Sequence, residues 1–112
     1  MNTNLKQTII DERGPYCESG SGKIGHDLHH CLFHRNKRFK AYIDVKENFM
    51  LVNHFDHIRG DFDTLEWRRK FWEMQCKRYG REHMEAWILG LPSKLVMYEM
   101  DFATIKLERT KA

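Results

Sequence analysis

The chain has no apolar run of bilayer length, and its first ten residues, MNTNLKQTII, contain none of the long hydrophobic stretch of a secretion signal. A soluble protein of the cytoplasm with no membrane partner is the expectation. Cysteine is scarce: Cys17, Cys31 and Cys76 are odd in number and never stand as a CxxC pair. That argues against a disulfide framework and against a four-cysteine zinc knuckle. No internal repeat or low-complexity segment is present. The net charge is only +3, which by itself says little. With 112 residues there is too little chain for two independent cores, so a single domain over 1–112 is expected.

What is present is an ordinary globular composition, 41% hydrophobic and 31% charged. The basic residues are local. Arg35, Lys37, Arg38 and Lys40 share the stretch HRNKRFK, Arg68, Arg69 and Lys70 lie within WRRKFW, and Lys77, Arg78 and Arg81 follow. Acidic residues gather elsewhere, at Asp56, Asp61 and Asp63. Such stripes suit phosphate contacts at particular places, although each run alone reads equally well as a solvated helix face.

The stretch ERGPYCESGSGKIG reads as a loop. Two strands are expected, at about 23–33 and 42–52, flanking a polar, basic connection RNKRFKA that a hairpin would expose. The pattern then turns helical. Asn53 caps a short helix to about Arg59 that Gly60 ends. Asp63 is the expected N-cap of a longer helix, with Glu66 closing a capping box and Leu65, Trp72, Cys76 and Tyr79 on one face. Gly80 terminates it, and a short helix from Arg81 to Leu89 stops at Gly90-Leu91-Pro92. From Ser93 onward an edge strand, with Tyr98, Met100 and Phe102 alternating, and a helix are both compatible with the residues.

Six of the seven histidines (His26, His29, His30, His34, His54, His57) lie within residues 26–57. Imidazole binds borderline metals and accepts protons near neutrality, so a cluster of this density points to a metal site, a general base, or both. Any one of these residues alone would read as a surface or hydrogen-bonded histidine.

Their spacing carries a resemblance. The segments DLHHCLFHR at 27–35 and ENFMLVNHFDH at 47–57 place an acidic residue and a His-His pair before an asparagine, a hydrophobic run and a further histidine, nine residues after that asparagine. In this the chain resembles the ββα-metal, or HNH, endonucleases. The resemblance covers mainly residues 16–57, and FWEMQCKRYGREHMEAWILGLPSK is similar to the tails of many small HNH proteins of bacteriophages. It implies an α+β fold in which a β-hairpin and a helix form the core motif, at about 16–60, supported by further helices and a tail over 61–112. Many HNH proteins bind a structural zinc through two CxxC pairs. Here Cys17 is followed by Gly20 at the second cysteine's place, and Asn53 and Asp56 occupy the other two, so no structural zinc is expected.

The resemblance also implies a chemistry, hydrolysis of DNA phosphodiester bonds to 5′-phosphate and 3′-hydroxyl ends. His30 would be the general base, His29 and His57 the ligands of one divalent ion, and Asn48 a brace for the hairpin loop that presents a fixed carbonyl to the base. Asp27 and Asp61 are further candidate ligands, though Gly60 is expected to break the helix before Asp61. Arg35 and Arg59 are candidates for phosphate contact. Two imidazoles favour Mn²⁺, Ni²⁺ or Zn²⁺ over Mg²⁺. DNA would be held mainly through its backbone, and a phage packaging or replication protein is a candidate partner. On a regular strand His29 and His30 face opposite ways, so both reach one phosphate only across the strand's edge or through a twist or bulge. Two other readings compete: an HNH fold without cleavage, and a binding module in which His29, His34, His54 and His57 hold a structural zinc.

Overall fold

A computed structural model describes residues 2–98. It is a mixed α+β fold, with one two-stranded antiparallel hairpin among several helices. In chain order these are α1 (Asn2–Arg13), β1 (Asp27–His30), a 3₁₀ turn (Lys37–Phe39) leading into α2 (Lys40–Ile43), β2 (Phe49–Val52), α3 (His54–Ile58), α4 (Leu65–Tyr79), α5 (Arg81–Leu89) and α6 (Ser93–Tyr98). No helix among the described residues is long and apolar enough to cross a membrane.

The hairpin is shorter than its sequence suggests, four residues on each strand rather than about eleven. Asp27 pairs with Val52, Leu28 with Leu51, His29 with Met50 and His30 with Phe49. Beyond His30 the backbone is taken by a side chain instead of a strand: Asn48 Oδ1 accepts from the Leu32 and Phe33 amides at 3.0 and 2.8 Å. Its Nδ2 donates to the Phe33 and Ile43 carbonyls at 2.9 and 3.0 Å. Residues 37–43, expected to be loop and strand, are helical because Asn36 Oδ1 accepts from the Arg38 amide and starts a turn there.

Alternation along the hairpin separates two layers of core. Phe49 and Leu51 pack with Ile9 of α1, and Leu28 lies against them. Met50 and Val52 face the larger cluster built around Phe33, Phe71, Trp72, Met84 and Leu95. β2 is therefore buried on both faces, which accounts for its unbroken apolar run FMLV. Gly25, just before β1, is required by this packing, since a Cβ there would stand 2.5 Å from Leu51 Cγ.

The helix α1 was not foreseen. Its residues Leu5, Ile9 and Ile10 follow helical spacing, and Gly14, at φ 94°, ends it with its amide on the Ile10 carbonyl. Arg13, at its last turn, is buried and donates to the Phe49 and Lys46 carbonyls, the Tyr79 hydroxyl and the Glu18 carboxylate. Glu18 is buried too and accepts from Arg13 (2.9 Å), Arg78 (2.7 Å) and the Leu51 amide (2.7 Å). A charged network thus ties α1, the following loop, β2 and α4 together.

Downstream, α4 departs from expectation in two details. Its N-cap is Thr64, whose Oγ1 accepts from the Trp67 amide at 3.1 Å. Glu66 then stands at the second helical position, so the capping box from Asp63 does not form. Its buried residues are Phe71, Trp72 and Gln75, with Leu65 exposed. Gln75 Nε2 donates to the Lys46 and Glu47 carbonyls, so a polar side chain fixes the approach to β2. Gly80, at φ 94°, separates α4 from α5 as expected. Ser93 begins a helix, and the part of the tail beyond Tyr98, with Met100 and Phe102, lies outside the described residues.

The loop around Cys17 is tied to α3 and its capping residue by hydrogen bonds and an ion pair. The Cys17 amide donates to the Lys23 carbonyl, Asn53 Nδ2 donates to the Ile24 carbonyl, and Lys23 Nζ meets Asp56 Oδ1 at 3.1 Å. Cys17 is buried among apolar neighbours.

Candidate active site

An open cleft of about 740 Å³ lies along the free edge of β1, lined among others by His29, His30, Arg35, Lys40, Asp44 and His57. Strand β1 delivers His29 and His30, α3 delivers His57, and the connection between the strands delivers the rest. A second, shallower depression shares Leu28, His30 and His57 and adds Lys6, His26, Asp27 and Phe49. His30 and His57 therefore stand on the rim between two hollows. The pleat does send His29 and His30 to opposite faces, and both reach the cleft because β1 is an edge strand.

His57 lies in this position because Asn53 caps α3. Asn53 Oδ1 accepts from the Phe55 and Asp56 amides, and the helix ends at Gly60, at φ 79°. The rings of His29 and His57 meet edge-on with centroids 5.1 Å apart. One nitrogen of each ring is already committed. His29 Nε2 lies 3.2 Å from the Phe62 carbonyl, which can only accept, so the hydrogen is on Nε2 and the lone pair on Nδ1. His57 Nδ1 lies 2.9 Å from Asp27 Oδ2, which leaves Nε2 as its lone-pair nitrogen. Burial, then the neighbouring His57 charge, push the His29 imidazole down to about 4 against the opposing bond to Phe62. His29 is thus neutral at physiological pH, as a metal ligand must be.

Asp27 anchors two imidazoles. Its Oδ2 accepts from His57 Nδ1 and, at 2.7 Å, from His54 Nδ1. Burial raises its carboxyl, and the hydrogen bonds from His57 and His54 outweigh that, so its value ends below the usual aspartate range. A carboxylate behind a ligating histidine fixes ring orientation and tautomer.

His30 Nε2 lies 2.7 Å from Asp44 Oδ1, and the ring packs edge-on against Phe49 with centroids 4.6 Å apart. The partner of the histidine is thus a carboxylate rather than a carbonyl. Asp44 was missed in the sequence because residues 42–52 read as one strand. Its spacing of four from Lys40, with Nζ and Oδ2 at 3.2 Å, is the helical signal that could have shown it. Asn48 is fully buried and touches no part of the cleft, so its contribution is to the backbone around Phe33 and Ile43.

The other candidates divide. Arg35 lines the cleft. Arg59 and Asp61 do not, because Arg59 Nη2 binds Asp56 Oδ1 at 2.7 Å and Asp61 Oδ2 at 2.8 Å. Gly60 ends α3 before Asp61, which removes it from the helical face of His57. His34 Nε2 lies 2.9 Å from Asp63 Oδ1 at the surface, and His54 is held by Asp27. Among the described residues no three His, Cys, Asp or Glu side chains converge as a complete metal cage. The pair His29 and His57 offers two lone-pair nitrogens, a donor set suited to a borderline divalent ion with its other positions open to water and substrate. Comparison with family models, with curated proteins and with solved structures returns no match.

Proposed function

We propose that the protein is a metal-dependent DNA endonuclease of the ββα-metal, or HNH, type. The observation that carries this reading is the ring-to-ring approach of His29 and His57 at 5.1 Å, each with one nitrogen committed, on a cleft that His30 also lines. Strand, strand and capped helix follow in the order that the resemblance requires.

In this reading His29 and His57 hold one divalent ion. When bound, the ion would supply positive charge to the phosphate and the departing 3′-oxygen. Asp27 keeps the His57 ring turned toward that position, and the Phe62 carbonyl does the same for His29. His30 takes a proton from the attacking water, for which a neutral imidazole is suited. Arg35 and Lys40 line the cleft and attract the DNA backbone, a contact independent of base sequence. Two imidazole ligands favour Mn²⁺ or Ni²⁺ over Mg²⁺.

The test is conversion of supercoiled plasmid with Mg²⁺, Mn²⁺, Ni²⁺, Zn²⁺ or EDTA, beside His30→Ala. The expected result is metal-dependent nicking that is best with Mn²⁺ or Ni²⁺ and reduced by about 10²- to 10⁴-fold in His30→Ala. Absence of cleavage by folded protein with every ion overturns the reading.

A further inference from the structure

We propose that Asp44 is a positioning residue for His30 and that the pair makes Nδ1, not Nε2, the atom that accepts the proton, an inference that rests on the nuclease reading. A carboxylate only accepts hydrogen bonds, so the contact of 2.7 Å between His30 Nε2 and Asp44 Oδ1 places the ring hydrogen on Nε2 and leaves the lone pair on Nδ1. Neither partner is free to wander. The Asp44 side chain is 16% exposed and that of His30 19%. The carboxylate is used at both ends, Oδ1 on His30 and Oδ2 on Lys40.

The backbone beneath Asp44 is fixed as well. Asp44 closes α2, its amide donating to the Lys40 carbonyl at 2.9 Å. The preceding carbonyl, of Ile43, accepts from Asn48 Nδ2. The buried asparagine therefore acts on His30 through the peptide that carries Asp44. Phe49 closes one side of the imidazole and limits its rotation.

In the step itself water gives its proton to His30 Nδ1, and its oxygen forms the new bond to phosphorus. The bond from phosphorus to the 3′-oxygen breaks, and that oxygen keeps the electron pair and takes a proton from solvent. Asp44 stays ionised throughout and stabilises the imidazolium until solvent removes its extra proton.

Two measurements test the assignment. Long-range ¹H–¹⁵N spectra of the imidazoles read which nitrogen of neutral His30 carries hydrogen, with no catalysis needed. The wild type is expected to show His30 as Nε2–H, and Asp44→Ala to show a mixture of the two tautomers. An Nδ1–H tautomer in the wild type, or an unchanged pure Nε2–H form in Asp44→Ala, overturns the proposal. Plasmid cleavage with the ion that serves the wild type best is expected to lose between about 10- and 10⁴-fold in kcat for Asp44→Ala, with KM within about twofold. Asp44→Glu, which restores the charge, should recover part of that loss, and Asp44→Asn serves if the alanine variant does not fold. Cleavage by the wild type with equal kcat in these variants removes the role of Asp44 and leaves the nuclease reading standing. No cleavage by the folded wild type removes the nuclease reading, and the positioning role falls with it.

Discussion

Asn48 and Phe33 exchange hydrogen bonds in both directions, the Asn48 carboxamide oxygen accepting from the Phe33 amide at 2.8 Å and its nitrogen donating to the Phe33 carbonyl at 2.9 Å. With the further bonds to Leu32 and Ile43, one buried side chain bonds four backbone groups. Asn48→Ala strands those groups away from water, each at about 1–3 kcal/mol. The expected loss of stability is ~3 kcal/mol or more, read by urea unfolding. Asn48→Asp should also destabilise, because it loses both donated bonds. A loss below ~1 kcal/mol for the alanine variant would contradict the bracing role.

Asp27 binds His57 and His54 through one oxygen. Isothermal titration with Mn²⁺ or Ni²⁺ should give an affinity about 10- to 100-fold lower for Asp27→Ala than for the wild type, since the ligand ring loses its orienting carboxylate. Equal affinities would show that the carboxylate does not support the ion.

Stability should depend on pH through His29. Burial, with the His57 charge second, lowers its value from 6.5 to about 4. Between those values the unfolded chain binds a proton that the folded chain does not. The stabilisation is therefore full above about pH 6.5 and is lost as the pH falls toward 4, to a total of ~3 kcal/mol. Urea midpoints measured across this range should slope for the wild type and flatten for His29→Gln. The same slope in both would assign the effect to another group.

Chelation should leave the fold intact. Lys23, Asn53 and Asp56 hold the loop around Cys17 through hydrogen bonds and an ion pair, with Cys17 packed as a small hydrophobe. Dialysis against EDTA is expected to shift Tm by less than about 2 °C, whereas folds that rest on a structural zinc unfold when it is removed. A collapse of the thermal transition after chelation would revive the structural-zinc reading.

Glu18 balances Arg13, whose side chain is 1% exposed. Glu18→Gln leaves that guanidinium buried without its nearest countercharge and should cost ~3–5 kcal/mol in chemical denaturation. A change within ~0.5 kcal/mol would mean that Glu12 alone neutralises Arg13.

The short helix that carries His57 was legible where spacing alone determines geometry. The interval from Asn48 to His57 places a histidine on the first turn of a helix capped by Asn53, and that helix stops at Gly60. What stayed hidden depends on partners distant in the chain. Residues 37–41 read as a polar connection and Tyr42 and Ile43 as the start of a strand, but Asn36 and Asn48 take their backbone bonds and turn them helical. Asp44 acquires its contact with His30 only through that turn. Helix α1 was concealed by a polar composition, since its packing rests chiefly on Ile9 and on the buried network of Arg13. In α4 the inward face was displaced because Gln75 is buried by bonds to the Lys46 and Glu47 carbonyls, which no hydrophobic pattern reveals.

The four-residue ladder of β1 and β2 makes the arrangement sensitive to register. A slip of one residue would exchange the two sides of the strand, carrying Leu28 and His30 to the positions of Asp27 and His29. The chain would then present a hydrophobe to His57, and Cys31 would stand in the place of His30 beside Phe49. Gly25 against Leu51 and Asn48 against Phe33 lock the two ends of this short ladder. Residues outside the cleft thereby decide which histidine faces it, and a substitution at Gly25 would shift that arrangement while sparing every imidazole.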